Sequence, residues 1–285
     1  MSHPFPNQTR TDQPPAEFLA GAGRVFAVFG DKTQDSGNVS YGLDVGGRRF
    51  FVKTAGAPGD TRWFLTHAER VALLRNAANL YRESGRPPMA PLVGVVESPH
   101  GPMLVYEWAA GELLKRGAAS PTAPSSAHQR FRELPAQEIA GVLDELYALH
   151  AHLSEAGWVP VDFYDGCLIY DFAARRLHVV DLDHYHRRPF VNEMGRMFGS
   201  SRFMAPEEFE RGAMIDARTT VFTMGRAATV FLSDGSLDRP PFRGSDGLYD
   251  VVRQACQPDP AERFKTVGEF YRTWRAVRQG SDPTR

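Results

Sequence analysis

The sequence predicts an α+β fold, because strand-like segments are concentrated in its first third and helical patterns dominate the remainder. Five apolar segments are predicted to form strands, at 24–29, 38–43, 49–53, 91–96 and 102–106. Gly46-Gly47, between the second and third of these segments, is typical of a two-residue antiparallel hairpin. Apolar residues at helical spacing predict one helix within 60–84 and an amphipathic helix over 135–156, and further helices are expected beyond residue 220.

Length, composition and charge are those expected of a soluble globular protein. The 285 residues could form one large domain or two lobes that share a cleft, and 42% hydrophobic with 24% charged residues is an ordinary composition. A formal net charge of -1 gives no electrostatic reason to expect a nucleic-acid or membrane partner. With two cysteines and no apolar run long enough to span a bilayer, a reducing cytoplasm is the expected location. The sequence does not indicate an oligomeric state.

Three segments are expected to lie outside the regular elements. Residues 1–18 are polar and rich in proline, and we expect them to form a disordered arm. Residues 114–134 contain the run SPTAPSS and are predicted to form an irregular connection. Residues 280–285 are expected to form a short tail.

Residues 157–185 contain the candidate catalytic carboxylates, and the other motifs of the chain are interpreted in relation to them. Two short apolar runs, 167–170 and 177–180, are each too short for a helix and suit two buried strands joined by a reversal. Such a hairpin would bring Asp162 and Asp181 to the same end. Metal-assisted phosphoryl transfer requires two carboxylates of this kind, one that accepts a proton and one that holds a cation.

This stretch resembles the catalytic and metal-binding loops of the protein-kinase superfamily. Against the pattern H-R-D-L-x-x-x-N, Asp162 stands at the catalytic position and Cys167 at the position of the metal-binding asparagine. The segment V-D-L-D takes the place of D-F-G, so the resemblance implies that Asp181 is a magnesium ligand, with Asp183 as a possible further one. It also implies a two-lobed fold, with a small antiparallel-sheet lobe that carries one helix and a larger, mainly helical lobe.

The resemblance extends to the predicted strands of the small lobe. Lys53 lies where the pattern V-A-I-K places the lysine that contacts the α- and β-phosphates, and only four of the 33 basic residues are lysine. In the loop before it, Gly37 and Val39 keep the Gly-x-Val step of the nucleotide loop, whereas Lys32 and Gln34 occupy the two earlier glycine positions. Because backbone amides approach phosphates most closely where no Cβ intervenes, this loop should hold phosphate poorly or use Lys32 instead.

Glu69 is the candidate for the helix glutamate that pairs with Lys53 in this family. An alternative interpretation stays open, because Thr66 and Glu69 form the capping-box pattern T-x-x-E, and the glutamate would then only cap its own helix.

The segment from Glu107 to Gly111 resembles the hinge that joins the two lobes. Backbone groups of Glu107 and Ala109 would then bind adenine, and Tyr106 would line the back of that pocket. The implied lobes are residues 19–108 and 109–279.

A third matching segment is Gly199 to Glu207, which resembles G-T-P-x-Y-M-A-P-E at the end of the activation segment. Ser200 then replaces the threonine that contacts the catalytic aspartate. Arg263 belongs to a later segment whose arginine pairs with Glu207, and losing one member of a buried ion pair costs roughly 3–5 kcal/mol, so the presence of both supports the pairing. The alternative is that the two glutamates after Pro206 only begin a helix.

Two departures from the family pattern concern catalysis. Cys167 replaces a hard oxygen ligand with a soft sulfur that magnesium disfavours, unless Asp165 or Asp183 compensates. Tyr164 replaces the lysine that supports the transferred phosphate, and Arg202 is a candidate substitute.

The interpretation favoured by the sequence is an ATP-dependent phosphotransferase that acts on serine or threonine of a protein substrate and uses Mg²⁺ or Mn²⁺. Asp162 would accept the substrate proton, Asp181 would hold the metal, and Lys53 with Glu69 would anchor ATP. One alternative is a pseudokinase that binds nucleotide or a partner with little catalysis. The other is a kinase-fold enzyme that phosphorylates a small molecule.

Overall fold

The structure is a computed structural model that describes residues 5, 7–30, 36–117 and 126–280. Five parts of the sequence-based interpretation therefore lie outside the described residues: residues 1–4 and 6 of the predicted arm, Lys32, Gln34, residues 118–125 of the predicted connection and residues 281–285 of the predicted tail. In the part of the chain that the structure describes, no helix is both long enough and apolar enough to cross a lipid bilayer.

The chain has an α+β fold that divides into two compact units, Met1–Ala109 and Ala110–Arg285. The elements of the first unit are α1 (Pro15–Ala22), β1 (Arg24–Phe29), β2 (Val39–Val45), β3 (Arg48–Thr54), α2 (His67–Ser84), β4 (Leu92–Ser98) and β5 (Gly101–Glu107). The five strands form one antiparallel sheet in the order β1-β2-β3-β5-β4. Gly46 and Gly47, at the β2–β3 turn, both have positive φ angles, 61° and 86°, which a tight hairpin turn requires.

The N-terminal segment differs from the expectation of a disordered arm that extends to Phe18. Helix α1 begins at Pro15, and Phe18 and Leu19 are buried against the sheet. Phe5 is buried as well, with its ring edge-on to Phe50 at a centroid distance of 5.3 Å. Three large apolar side chains bury enough surface to order a segment whose overall composition is polar. The first unit therefore contains a helix that the sequence analysis missed.

The second unit is mainly helical, with short strands near its centre. Its elements are β6 (Glu112–Leu113), α3 (Ala127–Glu133), α4 (Ala136–Glu155), β7 (Trp158–Val159), β8 (Leu168–Asp171), β9 (Arg176–Val179), β10 (His186–Arg187), β11 (Phe190–Val191), β12 (Met214–Ile215), α5 (Ala217–Leu232), α6 (Asp246–Ala255) and α7 (Val267–Arg278). Tyr147 of α4 is buried against α7, edge-on to Trp274 at 5.2 Å, and its hydroxyl donates to the carbonyl of Met224 in α5 at 3.0 Å. Helix α4 thus packs against both α5 and α7.

Candidate functional site

Lys53 lies on β3, the central strand of the sheet in the first unit. It pairs in register with Ser40 of β2 and Leu104 of β5, and it is 7% exposed. A lysine is rarely so buried unless its amine has a partner or a role, because removing a charge from water is costly. The burial of Lys53 sets it apart from the ordinary solvated strand lysine.

Glu69 does not pair with Lys53, and the alternative of the capping box is correct. One carboxylate oxygen of Glu69 accepts hydrogen bonds from the amide and the hydroxyl of Thr66, both at 2.7 Å, while the Glu69 amide donates to that hydroxyl at 3.3 Å. These bonds lower the pKa of the exposed Glu69 carboxyl. The glutamate lies in the first turn of α2, where it caps that helix instead of reaching the strand.

The turn that carries Gly37 packs too closely for any side chain. Gly37 has φ +82°, and a Cβ there would lie 2.4 Å from Cγ of Trp63. A Cβ on Gly56 would lie 2.5 Å from the carbonyl oxygen of Gly37. Val39 begins β2 opposite Thr54, whose hydroxyl donates to the Val39 carbonyl at 2.7 Å. The Gly-x-Val step is therefore fixed to the end of β3, directly after Lys53.

The residues predicted to bind adenine lie at the end of β5. Tyr106 is buried, with its ring edge-on to Tyr81 of α2 at 5.3 Å. The amide of Glu107 donates to the carbonyl of Pro91 at 2.9 Å. The amide of Ala109 donates to no described residue, so it keeps a donor that an adenine ring could use.

Asp162 lies in the segment that precedes the β8–β9 hairpin, and Asp181 lies just after it. The strands pair from Leu168 opposite Val179, so both aspartates are attached to the open end of the hairpin. Asp162 has φ 59° and Asp181 has φ 62°, and only four non-glycine residues of the described chain have positive φ. Such conformations are strained and are concentrated at functional sites.

Cys167 is a poor metal ligand in this structure. It is 1% exposed, and its thiol donates to the backbone carbonyl of Asp162 at 3.5 Å. Its own carbonyl accepts from the amide of Val180 at 2.9 Å. The cysteine therefore joins the segment of Asp162 to the end of β9, which is a structural role.

Asp165 is committed to an ion pair and cannot compensate for Cys167. Its carboxylate is fully buried and accepts from one guanidinium nitrogen of Arg202 at 2.7 and 2.8 Å, from the amide of Arg116 at 3.2 Å and from Nδ1 of His128 at 3.3 Å. Burial opposes ionisation of Asp165, but the bonds from His128 and Arg202 prevail and lower its pKa. Arg202, the candidate substitute for the missing lysine, is thus bound to a buried carboxylate.

Gly199, and not the hydroxyl of Ser200, makes the close approach to Asp162. A Cβ on Gly199, which has φ +127°, would lie 3.6 Å from the Cα of Asp162. The Ser200 carbonyl accepts from the amides of Phe203 and Met204, and among the described residues its hydroxyl has no hydrogen-bond partner. The expected contact between Ser200 and Asp162 is therefore not a hydrogen bond in this structure.

Glu207 and Arg263 form a buried ion pair between segments that are 56 residues apart. The two guanidinium nitrogens of Arg263 donate to the two carboxylate oxygens at 2.6 and 2.9 Å. Arg263 also donates to the carbonyls of Gln257, Pro258 and Arg218. A bidentate pair with its remaining donors satisfied is the arrangement in which a buried arginine is stable.

Glu208 is a buried carboxyl group near Asp162 that the sequence analysis missed. Both residues line one small depression of the second unit, together with Gly199, Met204 and Thr223. Burial raises the pKa of Glu208 to about 7, although the amide of Ala205 donates to its carboxylate at 2.7 Å. The doubled glutamate after Pro206 was the available signal, because Arg263 can pair with only one of the two.

A cavity lined by none of these residues lies in the first unit. It has a volume of about 880 Å³ and lies between the second half of α2, β4 and the connection that joins them. None of the predicted site residues lines it. Among the described residues, moreover, no group of three or more histidine, cysteine or carboxylate side chains is arranged to hold a metal ion.

Comparison with known proteins gives a distant relationship to a kinase. No protein-family model matches this sequence. Over 178 residues, 59% of the chain, it is 25% identical to the serine/threonine-protein kinase PknG of Mycolicibacterium smegmatis. The matched region spans about a fifth, 21%, of that protein's length. The five-stranded antiparallel sheet and the mainly helical second unit agree with the kinase-like fold that the sequence predicts.

Proposed function

We propose that this protein is an ATP-dependent phosphotransferase that phosphorylates serine or threonine of a protein substrate. The observation that carries the proposal is the pair Asp162 and Asp181, both in left-handed backbone conformations at the open end of one hairpin. The similarity to a protein named as a serine/threonine kinase supports the same reaction. Residues 199–204, next to Asp162, are the part of the chain that would receive a protein substrate.

The roles follow from the chemistry of each group. Asp162, which is partly exposed, orients the substrate hydroxyl and accepts its proton as the oxygen attacks the γ-phosphate; the bond from the γ-phosphorus to the bridging oxygen breaks and ADP leaves. Lys53 balances the charge of the α- and β-phosphates from the first unit. Glu69, which caps its own helix, has no part in holding the amine of Lys53.

The carboxylates present fit a magnesium ion held mainly through ATP. Mg²⁺ commonly keeps several waters and binds through one or two carboxylates plus substrate phosphates. Asp181 is an exposed hard oxygen ligand that suits this mode, and Asp183 is the second candidate. Asp181, with Asp183 as the second candidate, would hold the ion, which would lower the negative charge that the attacking hydroxyl meets.

Phosphate transfer from radiolabelled ATP tests the proposal. We expect the purified protein, with Mg²⁺ or Mn²⁺, to label itself or a protein substrate such as casein or myelin basic protein. Asp162→Asn should reduce the rate by about 10²–10⁴-fold, the usual contribution of a general base. Asp171→Asn, which changes a carboxylate in the turn of the same hairpin, is the matched control and should keep most of the activity.

A pseudokinase is the second candidate, and the sequestered side chain of Cys167 favours it. Because magnesium disfavours a soft sulfur ligand, a requirement for two metal ions would be poorly met at this position. Nucleotide binding without transfer, at high protein concentration and with either metal, would select this alternative. Labelling of a small hydroxylated or aminated compound without any labelled protein would instead indicate a small-molecule kinase.

A further inference from the structure

Arg70 is a buried cation of the first unit that pairs with backbone carbonyls instead of a carboxylate. Its side chain is fully buried, and it donates from Nε to Ala55 at 2.8 Å, from Nη1 to Leu65 at 2.8 Å and from Nη2 to Ala57 at 3.4 Å. Among the described residues, no carboxylate lies within salt-bridge distance of the guanidinium. Because arginine stays protonated in proteins, the three carbonyls hold a full positive charge.

The acidic residue that influences Arg70 is already committed elsewhere. Asp60 is the carboxylate whose charge acts on the guanidinium, opposing the effect of burial on the arginine pKa. Its two oxygens accept from Arg62 at 2.8 and 2.7 Å, and one also accepts from the indole of Trp63 at 2.8 Å. Asp60 is therefore drawn toward Arg62 and Trp63, and it does not bind Arg70 directly.

The guanidinium of Arg70 lies directly against the turn that carries Gly37. A Cβ on Gly37 would lie 2.7 Å from Nη1 of Arg70, and the Trp63 ring closes the same space. Ala55, which accepts from Nε, comes two residues after Lys53 on the same chain segment. Arg70 thus connects α2 to the end of β3 and packs against Gly37, the first residue of the Gly-x-Val step.

We propose that Arg70 is a positioning residue for the phosphates of the nucleotide. It holds the Gly37 turn in place, and its charge, which no carboxylate of the described residues pairs, supplies positive potential beside that turn. A charge in buried surroundings acts over a longer distance than the same charge in water. This inference rests on the proposed function, since it assigns a determinant of ATP binding within that function.

Affinities for ATP, ADP and adenosine, measured by calorimetry, test the role of Arg70. We expect Arg70→Met to weaken ATP about tenfold while adenosine changes less than about twofold, because only the phosphates respond to the lost charge. Arg70→Lys keeps the charge but not the planar fork, so it should weaken ATP by only about threefold. Arg75→Met is the matched control on the same helix, since Arg75 is exposed and pairs with Glu97, and it should change neither affinity.

Far-ultraviolet circular dichroism shows whether each variant is folded at the temperature of the titration. If Arg70→Met does not fold, the affinities of Arg70→Lys test the inference. Equal losses of affinity for ATP and for adenosine would show that Arg70 is only structural. Unchanged ATP affinity in both Arg70→Lys and Arg70→Met would also overturn the inference. Failure of the unsubstituted protein to bind any of the three ligands would overturn the proposed function and this inference together. If the unsubstituted protein binds ATP and the Arg70 variants bind it with the same affinity, the inference is overturned but the proposed function is not.

Discussion

Glu207 and Arg263 show how strongly a single buried charge depends on its partner. Arg263→Ala leaves the Glu207 carboxylate buried without its cation, so we expect the free energy of unfolding to fall by about 3–5 kcal/mol. Asp250→Ala is the control, because Asp250 and Arg253 form an exposed pair and should contribute less than about 1 kcal/mol. Urea unfolding followed by circular dichroism measures both changes. Similar losses in the two variants would contradict the structural importance of the buried pair.

Glu208 should make stability depend on pH near neutrality. Its pKa in the folded protein, about 7, is above its ordinary value of 4.5, so the folded state binds more protons than the unfolded state between these values. The stability that Glu208 contributes is therefore present below pH 4.5 and is lost as the pH rises to 7. Relative to Glu208→Gln, which cannot ionise, the unsubstituted protein should lose up to about 3 kcal/mol across this range. Parallel pH profiles for the two proteins would contradict this shift.

Individual residues could be predicted where a motif fixes the chemistry on both sides of a contact. Glu207 and Arg263 met this condition, because each would be costly to bury alone. Glu69 did not meet it, because the pattern T-x-x-E is compatible with both a helix cap and an ion pair. The cap forms because Thr66 is three residues away in the sequence. Arg70 was missed because nothing in the sequence marks which arginine of a helix will turn inward onto backbone carbonyls.

Helix α2 begins at a capping box formed by Thr66 and Glu69. Thr66→Ala removes the hydroxyl that accepts from the Glu69 amide, and we expect a loss of about 1 kcal/mol in the free energy of unfolding. Glu69→Gln can keep the bond to the Thr66 amide, so stability should change little and ATP affinity should not change. Thermal unfolding and calorimetric titration measure the two effects. A tenfold loss of ATP affinity in Glu69→Gln would restore the pairing with Lys53.

Elements with a clear local signal were predicted well. The β2–β3 hairpin was marked by two adjacent glycines, and the β8–β9 hairpin by two short apolar runs with a polar reversal between them. Helix α1 was not predicted, because its segment has a polar, proline-rich average and only a few apolar side chains. Those side chains order the helix only by packing against the sheet, and this tertiary contact cannot be read from the local sequence.

At the scale of the whole molecule, the residues assigned to catalysis belong to two different compact units. Lys53 lies in the first unit, whereas Asp162 and Asp181 lie in the second. Their common function was predicted from motifs separated by more than a hundred residues, which local propensity alone could not connect. The geometry within each unit supports the individual assignments: a buried lysine on a central strand, and two strained aspartates at one end of a hairpin.

Thermal unfolding with ATP, in the presence and absence of Mg²⁺, tests these assignments together. A ligand that binds only the folded state stabilises it by about 2.7 kcal/mol at a hundred times its Kd, so the melting temperature should rise with ATP and rise further with ATP and Mg²⁺. Asp181→Asn should remove the part of the shift that depends on Mg²⁺ and keep the part that does not, since an amide is a weaker ligand for a hard cation than a carboxylate. Lys53→Met should reduce both parts, because it removes the charge that we propose to act on the phosphates. Asp250→Asn, far along the chain on an exposed face of α6, should behave like the unsubstituted protein. A shift of equal size with and without Mg²⁺ in every variant would show that Asp181 does not hold the metal, and no shift at all would show that the chain does not bind ATP.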